Sequence, residues 1–262
     1  MALRRSCFAI ERDSPLSSRG RAAPLSVRDP LAGGVTSAVL KPTIRYSWTP
    51  AARRLGMASA IGILVVGLLY VATIALWLVL VRAPRQPVSD PFLAMMEVLT
   101  LVSAPALVGM LVGVYAFAAR EQQVFALAGL CLGVLAAGVT MAVHFLELTA
   151  IRQLTRADEG RLGYLLVWPS SLLAADYLAW DLLVGLSLVC VSRVFVGDIS
   201  LSRARRVMAL CGILCLAGSV GPFSGTIAWQ NIAVLGYAMA LPLAAGLIAR
   251  AFRATVPATA AA

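Results

Sequence analysis

The sequence predicts an all-α polytopic membrane protein, a bundle of six transmembrane helices, and two observations carry that prediction. First, six apolar runs follow one another in the chain, each close to the roughly 20 residues that a helix needs to cross hydrocarbon. Second, the runs are continuous and lack the alternation of a transmembrane β-barrel, so they predict helices. The runs lie roughly at 57–81, 93–118, 124–150, 172–197, 207–223 and 231–251.

The chain divides into a basic tail, a membrane domain and a short end segment. Residues 1–52 carry Ser, Pro, Gly and Arg without sustained apolar periodicity, so we expect a disordered basic N-terminal tail there. Residues 53–254 are predicted to form the six-helix transmembrane domain, and residues 255–262 a short flexible C-terminal tail. Ten of the 22 basic residues precede Met57, which leaves the membrane domain only weakly basic.

The charge distribution bears on partners and on location. Nucleic-acid binding would need a folded basic face with positioned contacts, which this sequence does not supply, so the expected partner is the lipid bilayer. Arginine greatly outnumbers lysine, which is typical of high-GC coding and favours a bacterial plasma (inner) membrane. Basic residues near the run ends favour both termini in the cytoplasm by eleven to five.

Two local patterns predict how the helices begin and pack. Ser170, after Trp168 and Pro169, is expected to cap the start of the fourth helix at the membrane interface. The third run carries small and polar residues at three- or four-residue steps, which places them on one face and points that face into the bundle. They are Gly129, Gly133, Ala136, Thr140, His144 and Glu147.

The acids and the only histidine within the runs all lie toward the ends that face one side of the membrane. Such groups cost several kcal/mol in hydrocarbon unless they are sheltered, so they are the candidate site for a ligand or an ion. His144 and Glu147 are neighbours at i, i+3 spacing on one helix. The full set of candidates is Glu97, His144, Glu147, Asp176, Tyr177 and Asp181.

Asp181 is expected to be the deepest acid, about 14 Å into the bilayer at 1.5 Å per residue. Five residues of α-helix separate it from Asp176 by about 140°, so the two carboxylates are not expected to share a face. Tyr177, one turn earlier, is then the polar neighbour of Asp181 on the helix. If the residues form a site, we expect Glu97, His144, Glu147 and Asp181 to converge on one cavity. Glu97 and Asp176 are the shallower acids, and Asp176 is shallow enough to meet water.

Three functions compete for this cluster. The leading interpretation is an outward-facing polar pocket that binds or passes a small solute or ion. The second is a structural or assembly role, with the acids paired to Arg82, Arg85, Arg152 or Arg156. The third is a metal-dependent membrane enzyme, for which one histidine is a thin ligand set. No motif for a catalytic residue, a cofactor or a nucleotide occurs, so the sequence leans away from an enzyme.

Overall fold

Six helices long and apolar enough to cross a membrane make up the computed structural model, which describes residues 48–81, 88, 90–157 and 165–256. No strand occurs within these ranges, so the predicted all-α class with six spans is confirmed. We label the spans α1 to α6. They are α1 Pro50–Leu80, α2 Phe92–Phe117, α3 Arg120–Leu154, α4 Ser171–Ser192, α5 Ile199–Ser224 and α6 Ile227–Ala254.

The helix starts follow from local capping. Thr49 accepts a hydrogen bond from the Ala52 amide (3.2 Å) and Pro50 occupies the first turn, so α1 begins before the predicted domain boundary at residue 53. Ser170 caps α4 through the Leu173 amide, as predicted. Of the two predicted tails, residues 1–47 and 257–262 lie outside the described residues.

The spans alternate in direction, so α1 begins and α6 ends on one side, which we call the terminal side. The opposite, or far, side holds the starts of α2, α4 and α6 and the ends of α1, α3 and α5. Each helix packs against the next along the chain, and α6 returns to pack against α1. The six helices therefore form a closed ring around a shared core.

Small residues allow the helices of this ring to approach closely. The face predicted on α3, from Gly129 to Glu147, is buried at all six of its positions, which confirms that it points into the bundle. At its lower end the Ser187 hydroxyl of α4 donates to the Gly129 carbonyl at 2.6 Å. A glycine exposes its backbone in this way because no Cβ shields it.

Arg53 joins the two ends of the ring on the terminal side. Its Nε donates to the Phe252 carbonyl (3.0 Å) and its Nη2 to the Arg253 carbonyl (2.8 Å), which satisfies carbonyls at the end of α6. Nearby, the Trp48 ring packs against Phe117 and Phe252, with centroids 5.2 and 5.0 Å away. The start of α1 and the end of α6 are thereby fastened together.

We expect Arg53→Ala to lower the free energy of unfolding by about 1 kcal/mol, because it removes two charge-assisted hydrogen bonds that are partly exposed. Titration with a denaturing detergent in mixed micelles measures this change. Arg54→Ala is the matched control, since the Arg54 side chain is exposed and makes no hydrogen bond or ion pair to any described residue. Equal losses for the two variants would show that the Arg53 hydrogen bonds do not stabilise the fold.

Candidate functional site

One imidazole contacts three carboxyl groups on the far side of the ring. His144 Nδ1 lies 2.5 Å from Glu97 Oε2 and 3.2 Å from Glu147 Oε2, and its Nε2 lies 3.1 Å from Asp176 Oδ1. We call these four residues the histidine cluster. They come from α2, α3 and α4, so the cluster exists only when the bundle is folded.

The alternating direction of the spans explains why these residues meet. Glu97 lies in the second turn of α2, His144 and Glu147 near the end of α3, and Asp176 in the second turn of α4. All three positions fall on the far side, and α3 packs between α2 and α4. A helical repeat places Glu147 beside His144, so α3 supplies two members of the cluster.

The cluster holds more negative than positive charge. Glu97, His144 and Glu147 are buried, and the Asp176 side chain is only 20% exposed. Within the described ranges no arginine lies within ion-pair distance of these carboxyls, and Arg152 pairs instead with Asp90 at 2.8 Å. An imidazolium offsets one of three carboxylates, and uncompensated charge is costly in a membrane. Among the described residues, therefore, only shared protons or an added cation would offset the remaining carboxylates.

Of the four arginines predicted to pair with the acids, only Arg152 has a described side chain. Arg82 and Arg85 lie outside the described residues, as does the side chain of Arg156. Arg152 is described, and it contacts Asp90, which lies just before α2 and is not a member of the histidine cluster. Among the described residues, the cluster carboxyls therefore form their ion pairs with His144 and not with an arginine.

Asp181 does not join His144 and Glu147, which corrects the sequence-based expectation. It is completely buried, and neither of its carboxylate oxygens has a hydrogen-bond partner among the described residues. The side chain of Gln230 is a polar group close to the Asp181 carboxyl. Asp176 was expected to be a shallow residue in contact with water, but its carboxylate contacts His144 instead.

A π-helical segment, Leu178–Val184, follows Asp176 in α4 and contains Asp181. A π-helix has more residues per turn than the 3.6 on which the expected angle of 140° was based. The two carboxyl groups nevertheless have different surroundings, because Asp176 contacts His144 whereas Asp181 has no hydrogen-bond partner among the described residues. The Tyr177 ring packs against Trp168, with centroids 5.7 Å apart, and does not belong to the histidine cluster.

Two further π-helical segments occur on the far side. Glu147–Ile151 begins at a member of the cluster, and Leu235–Ala240 carries Tyr237. Such segments widen a helix locally and are frequent at functional sites. Each of these three segments therefore contains a polar residue, which is Glu147, Asp181 or Tyr237.

A cavity of about 80 Å³ lies against the cluster, between α1, α2, α3, α4 and α6. A cavity of this size holds several water molecules or a small solute. Hydrophobic side chains such as Ile63 and Leu241 form its remaining wall. Its polar and aromatic lining includes Tyr70, Thr100, His144, Asp176, Trp180 and Tyr237.

Sequence reasoning missed the aromatic part of this lining. Trp180 and Tyr237 pack together with centroids 5.5 Å apart, and Gln230 donates to the Tyr237 hydroxyl at 3.0 Å. Tyr70 lies in the apolar run 57–81, which contains no charged residue, and its hydroxyl was the signal that could have been used. Apolar runs rarely bury a phenol without a polar partner, so a tyrosine there could have marked the site.

The fold and this polar interior define a class: a multi-pass α-helical membrane protein with ionisable residues gathered inside its bundle. Comparisons of the chain with protein-family models, with curated proteins and with solved structures found no match. The site must therefore be interpreted from its own chemistry.

Proposed function

We propose that the protein binds, and passes, a small solute or ion through the cavity beside the histidine cluster. The observation that carries this proposal is the contact of His144 with three carboxyl groups at the wall of a cavity inside the membrane domain. Ionisable residues inside a membrane domain usually mark a binding site or an ion pathway, because placing them in the bilayer is costly.

The preferred ligand is a cation. Three carboxyls surround one imidazole, so a positive charge in the cavity relieves repulsion within the cluster. Tyr70, Trp180 and Tyr237 add aromatic rings to the cavity wall, and aromatic faces attract cations. The cavity volume limits the ligand to an ion or a small organic group.

The proposed location is a bacterial plasma membrane, with both termini in the cytoplasm. The excess of basic residues near the spans on the terminal side supports this orientation, because basic residues concentrate on the cytoplasmic side. The far side then faces outward, and the solute or ion reaches the cluster from outside the cell.

A stability screen tests the proposal. Full-length protein in detergent is heated with ammonium, methylamine, choline, Na⁺, K⁺ and divalent metal ions, and we expect at least one cation to raise the melting temperature. Asp176→Asn should abolish that rise, because it removes the charge that lines the cavity. The control is Asp198→Asn, an N-cap on the terminal side where asparagine caps equally well.

Passage is tested separately by flux into liposomes that contain the protein. Wild-type protein should accelerate entry of the stabilising cation, and Asp176→Asn should reduce the rate at least tenfold while Asp198→Asn does not. If no cation stabilises the protein and no flux exceeds that of empty liposomes, the histidine cluster is a packing device and the proposal is wrong.

A further inference from the structure

We infer that Glu97, His144 and Glu147 bind a divalent first-row transition-metal ion, with Asp176 orienting the imidazole. This inference rests on the proposed function, because it names the class of ion that the site takes. One ligand atom from each of the three residues lies within 4.8 Å of the others, and all three residues are buried. Two glutamates and one histidine leave a fourth position open, as in catalytic and transport-type sites with three protein ligands.

The geometry around Nδ1 matches a metal position. Nδ1 lies 2.5 Å from one glutamate oxygen and 3.2 Å from the other. Two atoms that share a tetrahedral metal at about 2.0–2.1 Å lie roughly 3.3 Å apart. A metal ion therefore fits after a shift of less than about 1 Å in the Glu97 carboxylate, within the range of its side-chain torsions.

Asp176 supplies the outer partner that a metal-binding imidazole requires. Its Oδ1 lies 3.1 Å from Nε2, on the opposite side of the ring from the two glutamates. A proton held on Nε2 and donated to Asp176 leaves the Nδ1 lone pair free for the metal. Histidine ligands are commonly oriented in this way by a carboxylate, which also strengthens the metal–nitrogen bond.

The charge and the donor atoms select the type of ion. A divalent ion offsets the negative charge of Glu97 and Glu147, and the imidazole then remains neutral. One nitrogen and carboxylate oxygens suit Zn²⁺, Mn²⁺, Fe²⁺ and Co²⁺, whereas no cysteine is among the three ligands to favour softer ions. His144 and Asp176 line the cavity, whereas its lining does not include Glu97 or Glu147, so an ion arriving through the cavity would meet Asp176 before the two glutamates.

Spectroscopy of the full-length protein tests the inference. The protein is purified with a tag that lacks histidine, stripped with a chelator and titrated with Co²⁺, whose visible absorption reports its coordination. We expect one Co²⁺ per chain, displaced by Zn²⁺. Glu97→Gln and Glu147→Gln should each weaken binding at least 100-fold, and Asp176→Asn about 10- to 100-fold, since it acts through His144. Asp198→Asn should leave the affinity unchanged.

A second measurement uses only the wild-type protein, so it does not require any variant to fold. His144 is the chain's single histidine, so electron spin-echo modulation of Cu²⁺-loaded wild-type protein should show one coordinated imidazole. Absence of that modulation, or Co²⁺ affinity unchanged in both glutamate variants, overturns the metal site. If the metal site fails while Na⁺ or an amine still stabilises the wild type but not Asp176→Asn, the proposed function stands with another cation. Metal binding without flux into liposomes overturns passage and leaves the metal site intact.

Discussion

Replacement of His144 by alanine is expected to lower the free energy of unfolding by about 3–5 kcal/mol, the usual cost of removing one partner of a buried ionic pair. The substitution leaves three carboxyl groups facing one another without the imidazole that now contacts each of them. It also creates a void beside the cavity. Equilibrium unfolding by a denaturing detergent in mixed micelles measures the loss.

The control for His144→Ala is a second substitution in the same background. Glu97→Gln removes a charge from the group 2.5 Å from Nδ1, so the double variant should recover a substantial part of the lost stability. Recovery of stability in the double variant would show that His144→Ala destabilises through electrostatic repulsion and not only through lost packing, because Glu97→Gln adds no volume. A double variant that is less stable than His144→Ala would contradict the electrostatic explanation.

Gly113→Ala is expected to lower the free energy of unfolding by about 1–3 kcal/mol, as overpacking does in tight cores. A Cβ on Gly113 would lie 2.5 Å from the Cα of Gly56 and 3.1 Å from Cε2 of Phe252. The first obstacle is backbone, which cannot rotate away, so α1 and α2 would have to separate along their contact. The same unfolding titration measures the change.

Gly138→Ala is the matched control, because it makes the same chemical change in another membrane helix. No atom lies within 4 Å of a Cβ at Gly138, and alanine favours a helix over glycine by roughly 0.5–1 kcal/mol. We therefore expect opposite signs for the two variants. If Gly138→Ala is as destabilising as Gly113→Ala, the helix contact at Gly56 is not the cause.

Hydropathy predicted the fold because the bilayer imposes a length and a composition on every span. The run at 57–81 corresponds to α1. That helix begins earlier, at Pro50, because Thr49 caps it and a proline occupies its first turn, and hydropathy does not detect either of these signals. The face from Gly129 to Glu147 was predictable for a related reason. A polar residue that faces lipid is energetically costly, and a small residue allows close helix packing only where it faces another helix. Residues of both kinds therefore face the interior of the bundle.

The site was predicted in part, and its error has a physical origin. Glu97, His144 and Glu147 were recognised because ionisable residues are conspicuous in apolar runs. The choice of Asp181 over Asp176 failed because it was based on depth along α4, and depth does not say which side chain faces His144. Which residues of α4 meet α3 depends on how the two helices pack, and the sequence of α4 alone does not specify that packing.

The aromatic wall of the cavity depended on contacts between distant parts of the chain. Tyr70 and Tyr237 come from α1 and α6, which are adjacent only because the ring closes. A one-dimensional pattern places a residue on a helix face but does not say which neighbour that face meets. The charged half of the site was therefore easier to predict than its aromatic half.

The fastening of α1 to α6 has a consequence for chain connectivity. The Trp48 indole reaches the Thr255 carbonyl at 3.5 Å, so the two ends of the described domain are adjacent. A short linker between them, with a new opening at Gly225 in the α5–α6 turn, would give a circular permutant with the same neighbours for every helix. Both new ends would emerge on the far side, and the first helix made would be the present α6. Helix packing in this protein thus specifies a cyclic order of neighbours, whereas the gene determines only between which two helices the chain begins and ends.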